Sequence, residues 1–221
     1  MKTAQKILLT ALTLFNEHGE NTVTSVDIAL ELDISPGNLY YHFKGKDSLV
    51  SELMKMHEQQ MQKVLNRDKL NTLHPEEIMV YLYLLIDSIH VFRFFYRSPA
   101  DLAEKYPAIV RPRQHIITRL NKQLAFLFDS LSQRDMLIAS KTDRALLVDL
   151  ISLIITQSCQ FDELNSHMDS TMQRYHALSL MMVSVLPRLA LSDEQKKQLE
   201  QILNSQDFVR GSATHSPLDF A

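Results

Sequence analysis

Between Thr24 and Gly45 the chain carries two helix starts and two helix stops, and this spacing leaves room only for two short helices joined by a tight turn. Thr24-Ser25-Val26-Asp27 has the form of a capping box: the threonine hydroxyl accepts from the amide three residues on, and the aspartate reaches back. Ile28, Ala29 and Leu32 follow as the inward side of a short helix. After a turn at Asp33-Ile34, Ser35-Pro36 supplies an N-cap and then a proline at the first helical position. The helix it opens is about two turns long and runs through Phe43, where Lys44-Gly45-Lys46 breaks it and starts another. Ahead of the pair, Ala4, Ile7, Leu8, Ala11, Leu12 and Phe15 form one stripe of an amphipathic helix that Gly19 closes.

A longer helix bracing two short ones is the helix-turn-helix arrangement, in which the second short helix enters the major groove of DNA. Leu39 and Phe43, four residues apart, would anchor that helix to the core. Ser35, Pro36, Gly37, Asn38, Tyr40, Tyr41 and His42 then lie on its start and outer side. Asparagine pairs bidentately with adenine, tyrosine and histidine reach phosphates or thymine methyls, and glycine lets the backbone approach closely. Lys46, opening the next helix, is expected to meet a phosphate with both its ammonium group and its backbone N–H. One aromatic residue taken alone would read as core packing, and His42 alone is uninformative. Taken together with the caps and their spacing, these residues read as a recognition helix.

Charge argues the other way. Residues 1–48 hold Lys2, Lys6, Lys44 and Lys46 against Glu17, Glu20, Asp27, Glu31, Asp33 and Asp47, a formal balance of −2 within a chain of −3. A duplex-binding head of this charge must place its few cations well and rely on amides at helix starts.

The run from Thr24 to Leu49, with ISPGNLYYHFKGKDSL at its centre, resembles the recognition segment of the TetR family of transcriptional regulators. With MKTAQKILLTALTLFNEHGE in front and VFRFFYRSPADL near the middle, the chain looks most like the PhaD-type regulators of polyhydroxyalkanoate genes within that family. The resemblance implies an all-α fold, with a three-helix DNA-binding head and a helical body for ligand binding and dimerisation. It also implies a phosphate contact at Thr24 and an effector enclosed by the body. The PhaD-like features imply a fatty-acid-derived effector such as an acyl-CoA, and repression is the family default. On this reading residues 1–48 are the head, 49–203 the effector-binding and dimerisation body, and 204–221 a loose tail.

The body reads as helices throughout: 46 to about 70, 76–97, a brief one before Pro107, about 112–131, 143–164, 169–190, and one from Ser192 to Leu203. Met79, Tyr83, Ile86, His90, Phe94, Phe126 and Ile154 are candidates to line an apolar cavity, with Arg93 or Arg97 meeting an acid or phosphate at its mouth. Plain core packing explains the same residues. From Ala145 to Ile155 only Asp149 and Ser152 are not apolar, and a helix apolar on nearly all sides cannot end at a solvent face. It is either central to one subunit or shared with a second. A head that reads two half-sites favours the second, as a homodimer joined through Leu146, Leu150, Ile154, Tyr175, Leu178, Met182 and Val185.

Other classes find little support. The chain has no Gly-rich phosphate loop, no HExxH and no helical ExxH pair, so no catalytic residues, cofactor or metal site are expected. The lone Cys159 rules out an internal disulfide and fits a reducing cytoplasm. The apolar run Ala145–Thr156, interrupted by Asp149, falls short of the roughly 18 residues that span a bilayer, so no membrane is expected. Two alternatives stay open: a drug-sensing efflux regulator on the same fold, and a helical lipid-binding protein or enzyme whose front end is only structural.

Overall fold

The computed structural model describes residues 2–65, 70, 72–163 and 168–205. All regular structure among them is helical, apart from one isolated antiparallel bridge between Leu137 and Leu189. The expected loose tail beyond residue 205, and the stretches expected as helix over 66–69 and at 164, lie outside the described residues. Two compact units emerge, one of Met1–Gln60 with Phe92–Ile116 and one of Met61–Val91 with Ile117–Ala221.

The first unit begins with α1 (Thr3–His18), whose Ile7, Ala11, Leu12 and Phe15 are buried. Gly19 ends it at φ +83°, a conformation that costs a residue with a Cβ. α2 (Ser25–Glu31) has its capping box: Asp27 N donates to Thr24 Oγ1 at 3.2 Å and Thr24 N to Asp27 Oδ2 at 2.7 Å. Asp33 turns the chain at φ +52°, which aspartate tolerates. α3 (Pro36–His42) follows, with Ser35 Oγ accepting from Asn38 N at 3.1 Å, and Gly45 at φ +117° separates it from α4 (Lys46–Val64). The unit's second segment holds two short helices, α6 (Phe94–Arg97) and α7 (Pro99–Lys105).

The second unit is built around α5 (Ile78–Val91), which packs against α9 (Lys141–Glu163) and α10 (Ser170–Val185). Ile78, Met79, Leu82, Tyr83, Leu85, Ile86, Ile89 and His90 are buried, so α5 is a central helix. Leu120, Leu124, Leu127 and Phe128 of α8 (Val110–Gln133) are buried too. A capped final helix, α11 (Asp193–Ser205), begins where Gln195 N donates to Ser192 Oγ at 3.2 Å.

Two features depart from the sequence reading. The helix expected over 76–97 stops at Val91 and resumes at Phe94, because Phe95 N and Tyr96 N close tighter turns onto the carbonyls of Phe92 and Arg93. The segment Lys141–Phe161 does pass as long and apolar enough to cross a membrane by length and composition. Its Leu147, Val148, Ile151, Ile155 and Cys159 are nevertheless buried within the protein, as a core helix requires.

Candidate nucleic-acid interface

The outer side of α3 follows from how the helix is held. Leu39 and Phe43 are buried at 1% and 7% exposure, and this pins one side of a two-turn helix against α1 and α2. The remaining residues must then face out: Ser35, Pro36, Gly37, Asn38 and His42 are exposed, Tyr40 is 58% exposed and Tyr41 77%. Leaving two tyrosines in water forfeits apolar burial of a kind that cores normally collect, so they are not core aromatics. Tyr41 meets the His42 ring edge-on at 5.2 Å, and the Lys44 ammonium lies 4.7 Å above the Tyr40 ring. Added to the glycine at position 37, a Cβ would meet only Ser35 Oγ at 3.9 Å, so that position is open. Thr24 is exposed at the start of α2, with its hydroxyl in the capping box, also donating to Asp27 Oδ2 at 2.7 Å. Hydrogen bonds from the Thr24 backbone and hydroxyl hold the Asp27 carboxyl below its ordinary range.

Lys46 stands differently from the expectation. Its ammonium group points inward and donates to the carbonyls of Glu20 and Val23 at 2.5 and 2.7 Å, with Glu20 Oε1 at 2.6 Å. Three donors meet three acceptors, so in this structure the Lys46 side chain is engaged within the protein. Its backbone N–H still belongs to the first turn of α4.

The reason is Glu20, which the sequence reading missed. Its side chain is 3% exposed, and besides Lys46 its carboxylate takes Lys105 Nζ at 2.9 Å on both oxygens and the Tyr106 hydroxyl. Burial pushes the Glu20 carboxyl up, but the hydrogen bonds from Lys46, Tyr106 and Lys105 outweigh it and hold the group below its ordinary range. Nearby, Asn16 Oδ1 accepts from Phe94 N at 3.1 Å and the Asn16 carbonyl accepts from Arg97 Nη1 at 2.6 Å. The end of α1 is thus fastened at two points to the segment containing α6 and α7. Farther along α4, His57 is fully buried among Phe92, Phe95 and Tyr96, with its Nε2 2.7 Å from the Tyr96 hydroxyl. Burial lowers its pKa to about 3, so it is neutral.

The residues proposed for a cavity divide between the two units. Arg93, Phe94 and Arg97 belong to the first, where the Phe94 ring meets that of Phe15 at a tilt with centroids 5.4 Å apart and Arg97 serves the end of α1. Met79, Tyr83, Ile86, His90, Phe126 and Ile154 belong to the second. Of these the first four are buried on α5, while Phe126 and Ile154 are half-buried. Close by on α5, Asp87 lies 3.5 Å from Arg174 of α10; burial raises its carboxyl while the guanidinium opposes this. Among the described residues, no three His, Cys, Asp or Glu side chains gather as a metal set.

The proposed dimer residues also divide. Leu146 (60% exposed) and Leu150 (38%) are open, and Ile154 and Tyr175 are half-buried. Leu178, Met182 and Val185 are fully buried within the protein, because α10 turns that side onto α5 and α9, so these three are core residues and not contacts for a partner. The outward sides of the two helices carry Leu153 and Phe161 on α9 and Met172, Leu180 and Val183 on α10.

Known proteins resemble both parts. The family model described as bacterial regulatory proteins, tetR family, matches residues 7–53, and the TetR model described as a bacterial transcriptional repressor matches residues 56–199. The HTH-type transcriptional regulator QacR of Staphylococcus aureus is 35% identical over 83 residues, 38% of this chain and 44% of that protein. The probable acrEF/envCD operon repressor of Escherichia coli K12 is 36% identical over 53 residues, 24% of each chain. The matched stretch therefore spans less than half the length of these relatives. A TetR-family transcriptional regulator from Marinobacter aquaeolei superposes with a TM-score of 0.79 at 26% identity, over 93% of this chain and 99% of that one.

Proposed function

The chain belongs to the TetR family of bacterial transcriptional repressors, and from that membership we propose that it regulates transcription as a ligand-responsive homodimer on a palindromic DNA operator. As a regulator of this family it is a transcription factor and not an enzyme. The observation that carries the reading is α3: anchored by buried Leu39 and Phe43, it leaves Asn38, Tyr40, Tyr41 and His42 exposed on one short helix. Operator contact falls to these four, with Gly37 admitting the backbone and with Thr24, Ser35 and Pro36 at the helix starts. The outward apolar rows of α9 and α10 support pairing of two copies, which sets two heads on two half-sites.

The reading extends to an effector in the helical body, in the PhaD-like case a fatty acid or acyl-CoA, and to a cytoplasmic setting. Met79, Tyr83, Ile86 and His90 support it as one buried side of α5 carrying both apolar and polar groups. An effector that binds the body better when the heads are off the operator releases DNA, and linkage requires the operator to weaken effector binding by the same factor.

The test is a gel shift with the duplex upstream of the chain's own gene, across a salt series. Specific retention that Asn38→Ala or Tyr40→Ala weakens at least tenfold is the expected result. A probe that is not retained even at low salt sinks the reading. Adding acyl-CoAs or cationic dyes to the retained complex separates a fatty-acid effector from an efflux-type drug sensor.

A further inference from the structure

We propose that Lys44, not Lys46, is the lysine whose side chain meets a DNA phosphate in this head; the proposal rests on the DNA-binding reading above. The segment Ser35–Lys46 holds only these two lysines, one on either side of Gly45. They look interchangeable in sequence and have opposite fates in the structure. Lys46 has its three N–H groups on the Glu20 carbonyl, the Val23 carbonyl and the Glu20 carboxylate, and only 19% of its side chain is exposed. To reach a phosphate it would have to abandon all three acceptors and reduce the compensation of a carboxylate that is 3% exposed. Removing a partner from a buried charge is among the costlier changes a fold can suffer, and a phosphate contact at the surface returns less.

Lys44 carries no such commitment. It is exposed, it follows the last turn of α3, and its ammonium sits 4.7 Å over the ring of Tyr40, a residue of the exposed recognition side. The ring attracts the cation without using up its N–H donors, so the charge is held beside the groove-reading residues with its hydrogen bonds still to give. Ordering the long stem against the ring in the free protein also removes part of the entropy that a phosphate contact would otherwise cost. The formal balance of −2 over residues 1–48 thus hides a local arrangement: the clasped lysine neutralises a buried carboxylate, and the free one serves the duplex.

Salt dependence separates the two roles, because each neutralised phosphate adds about 0.9 to the slope of log affinity against log salt. The full chain and its variants are titrated with the labelled duplex from upstream of its own gene, over a potassium chloride series, and their melting temperatures are recorded alongside. Lys44→Ala is expected to lower the slope by about one per head with the melting temperature unchanged, and Lys44→Arg to restore it. Lys46→Gln is expected to lower the melting temperature while keeping the parent slope below that temperature. The proposal is overturned if Lys44→Ala keeps the parent slope, or if Lys46→Gln loses slope without loss of stability. A parent chain that retains no duplex at low salt removes the DNA-binding reading and this proposal with it, whereas a retained duplex with an unaltered Lys44→Ala slope removes only the proposal.

Discussion

The unit holding the recognition helix and the unit built on α5 both have apolar cores, and they differ in the withdrawn polar groups added to them. In the first, polar groups that are largely withdrawn from water set the geometry: Glu20 with Lys46, Lys105 and Tyr106, Asn16 with Phe94 and Arg97, His57 with Tyr96. In the second, α5, α9 and α10 meet mainly through Leu, Ile, Val and Met, with Asp87 and Arg174 as a partly shielded ion pair. Hydrogen bonds fix angles and partners, and apolar packing fixes volume. A helix that must read base edges needs its direction fixed. A body that changes shape with an effector, as proposed above, would be better served by contacts that slide and repack.

The contrast breaks most sharply at Glu20. Glu20→Ala leaves Lys46, Lys105 and the Tyr106 hydroxyl without their shared acceptor, and losing one partner of a buried charge network costs about 3–5 kcal/mol. Urea unfolding of the variant against the parent should show a loss of that order; a loss below about 1 kcal/mol would rank the clasp with ordinary surface pairs. The clasp also fixes an acid limit. Because the folded pKa of Glu20 lies below the ordinary value of 4.5, its contribution is fully present above that value and is lost as pH falls through the lower folded one.

The head's local structure was legible in the sequence because its signals are local. Thr24 and Asp27, Ser35 and Pro36, and the stops at Gly19 and Gly45 all act within four residues of what they cap. The clasp was not, since Glu20 meets partners 85 and 86 residues away and a lone glutamate carries no sign of them. The inward contacts of Lys46 were hidden for the same reason: its neighbours in sequence are exposed or half-exposed, and its acceptors lie more than twenty residues back. In the body the hydrophobic pattern gave helices but not their sides. α10 is apolar around most of its circumference, so Leu178, Met182 and Val185 could not be told from Leu180 and Val183 until α5 and α9 were seen to cover the former.

His57 sharpens the comparison at milder acidity. It is neutral in the fold, with a pKa lowered to about 3 by burial, whereas in the unfolded chain it takes up a proton near its ordinary value of 6.5. Its contribution is therefore fully present above about 6.5 and declines steadily as pH falls toward 3. Between pH 7 and pH 5 the loss is about 2 kcal/mol, from the linkage of one proton bound only by the unfolded state. Unfolding free energies measured at several pH values should decline by that much more in the parent than in His57→Gln, which has no proton to take up. Parallel curves for the two proteins would mean that His57 is protonated or exposed in the native state.

The smallest effect on folding belongs to Val183, and it tests the body's outward side. At 75% exposure on α10, its replacement by aspartate removes little buried area, and a surface change of this kind stays within about 0.5 kcal/mol in unfolding of the single chain. Two copies paired through the rows containing Leu146, Leu150, Leu180 and Val183 would instead bury a carboxylate from each chain among apolar side chains, where an unpaired charge is strongly disfavoured. Sedimentation equilibrium should therefore find Val183→Asp largely monomeric at concentrations where the parent is a dimer, with operator affinity falling because only one head engages at a time. An undiminished dimer would move the pairing surface away from Val183 and leave the outward side of α10 to another partner. The same substitution that is nearly silent in folding then decides whether the apolar surface of the body serves the reading of two half-sites.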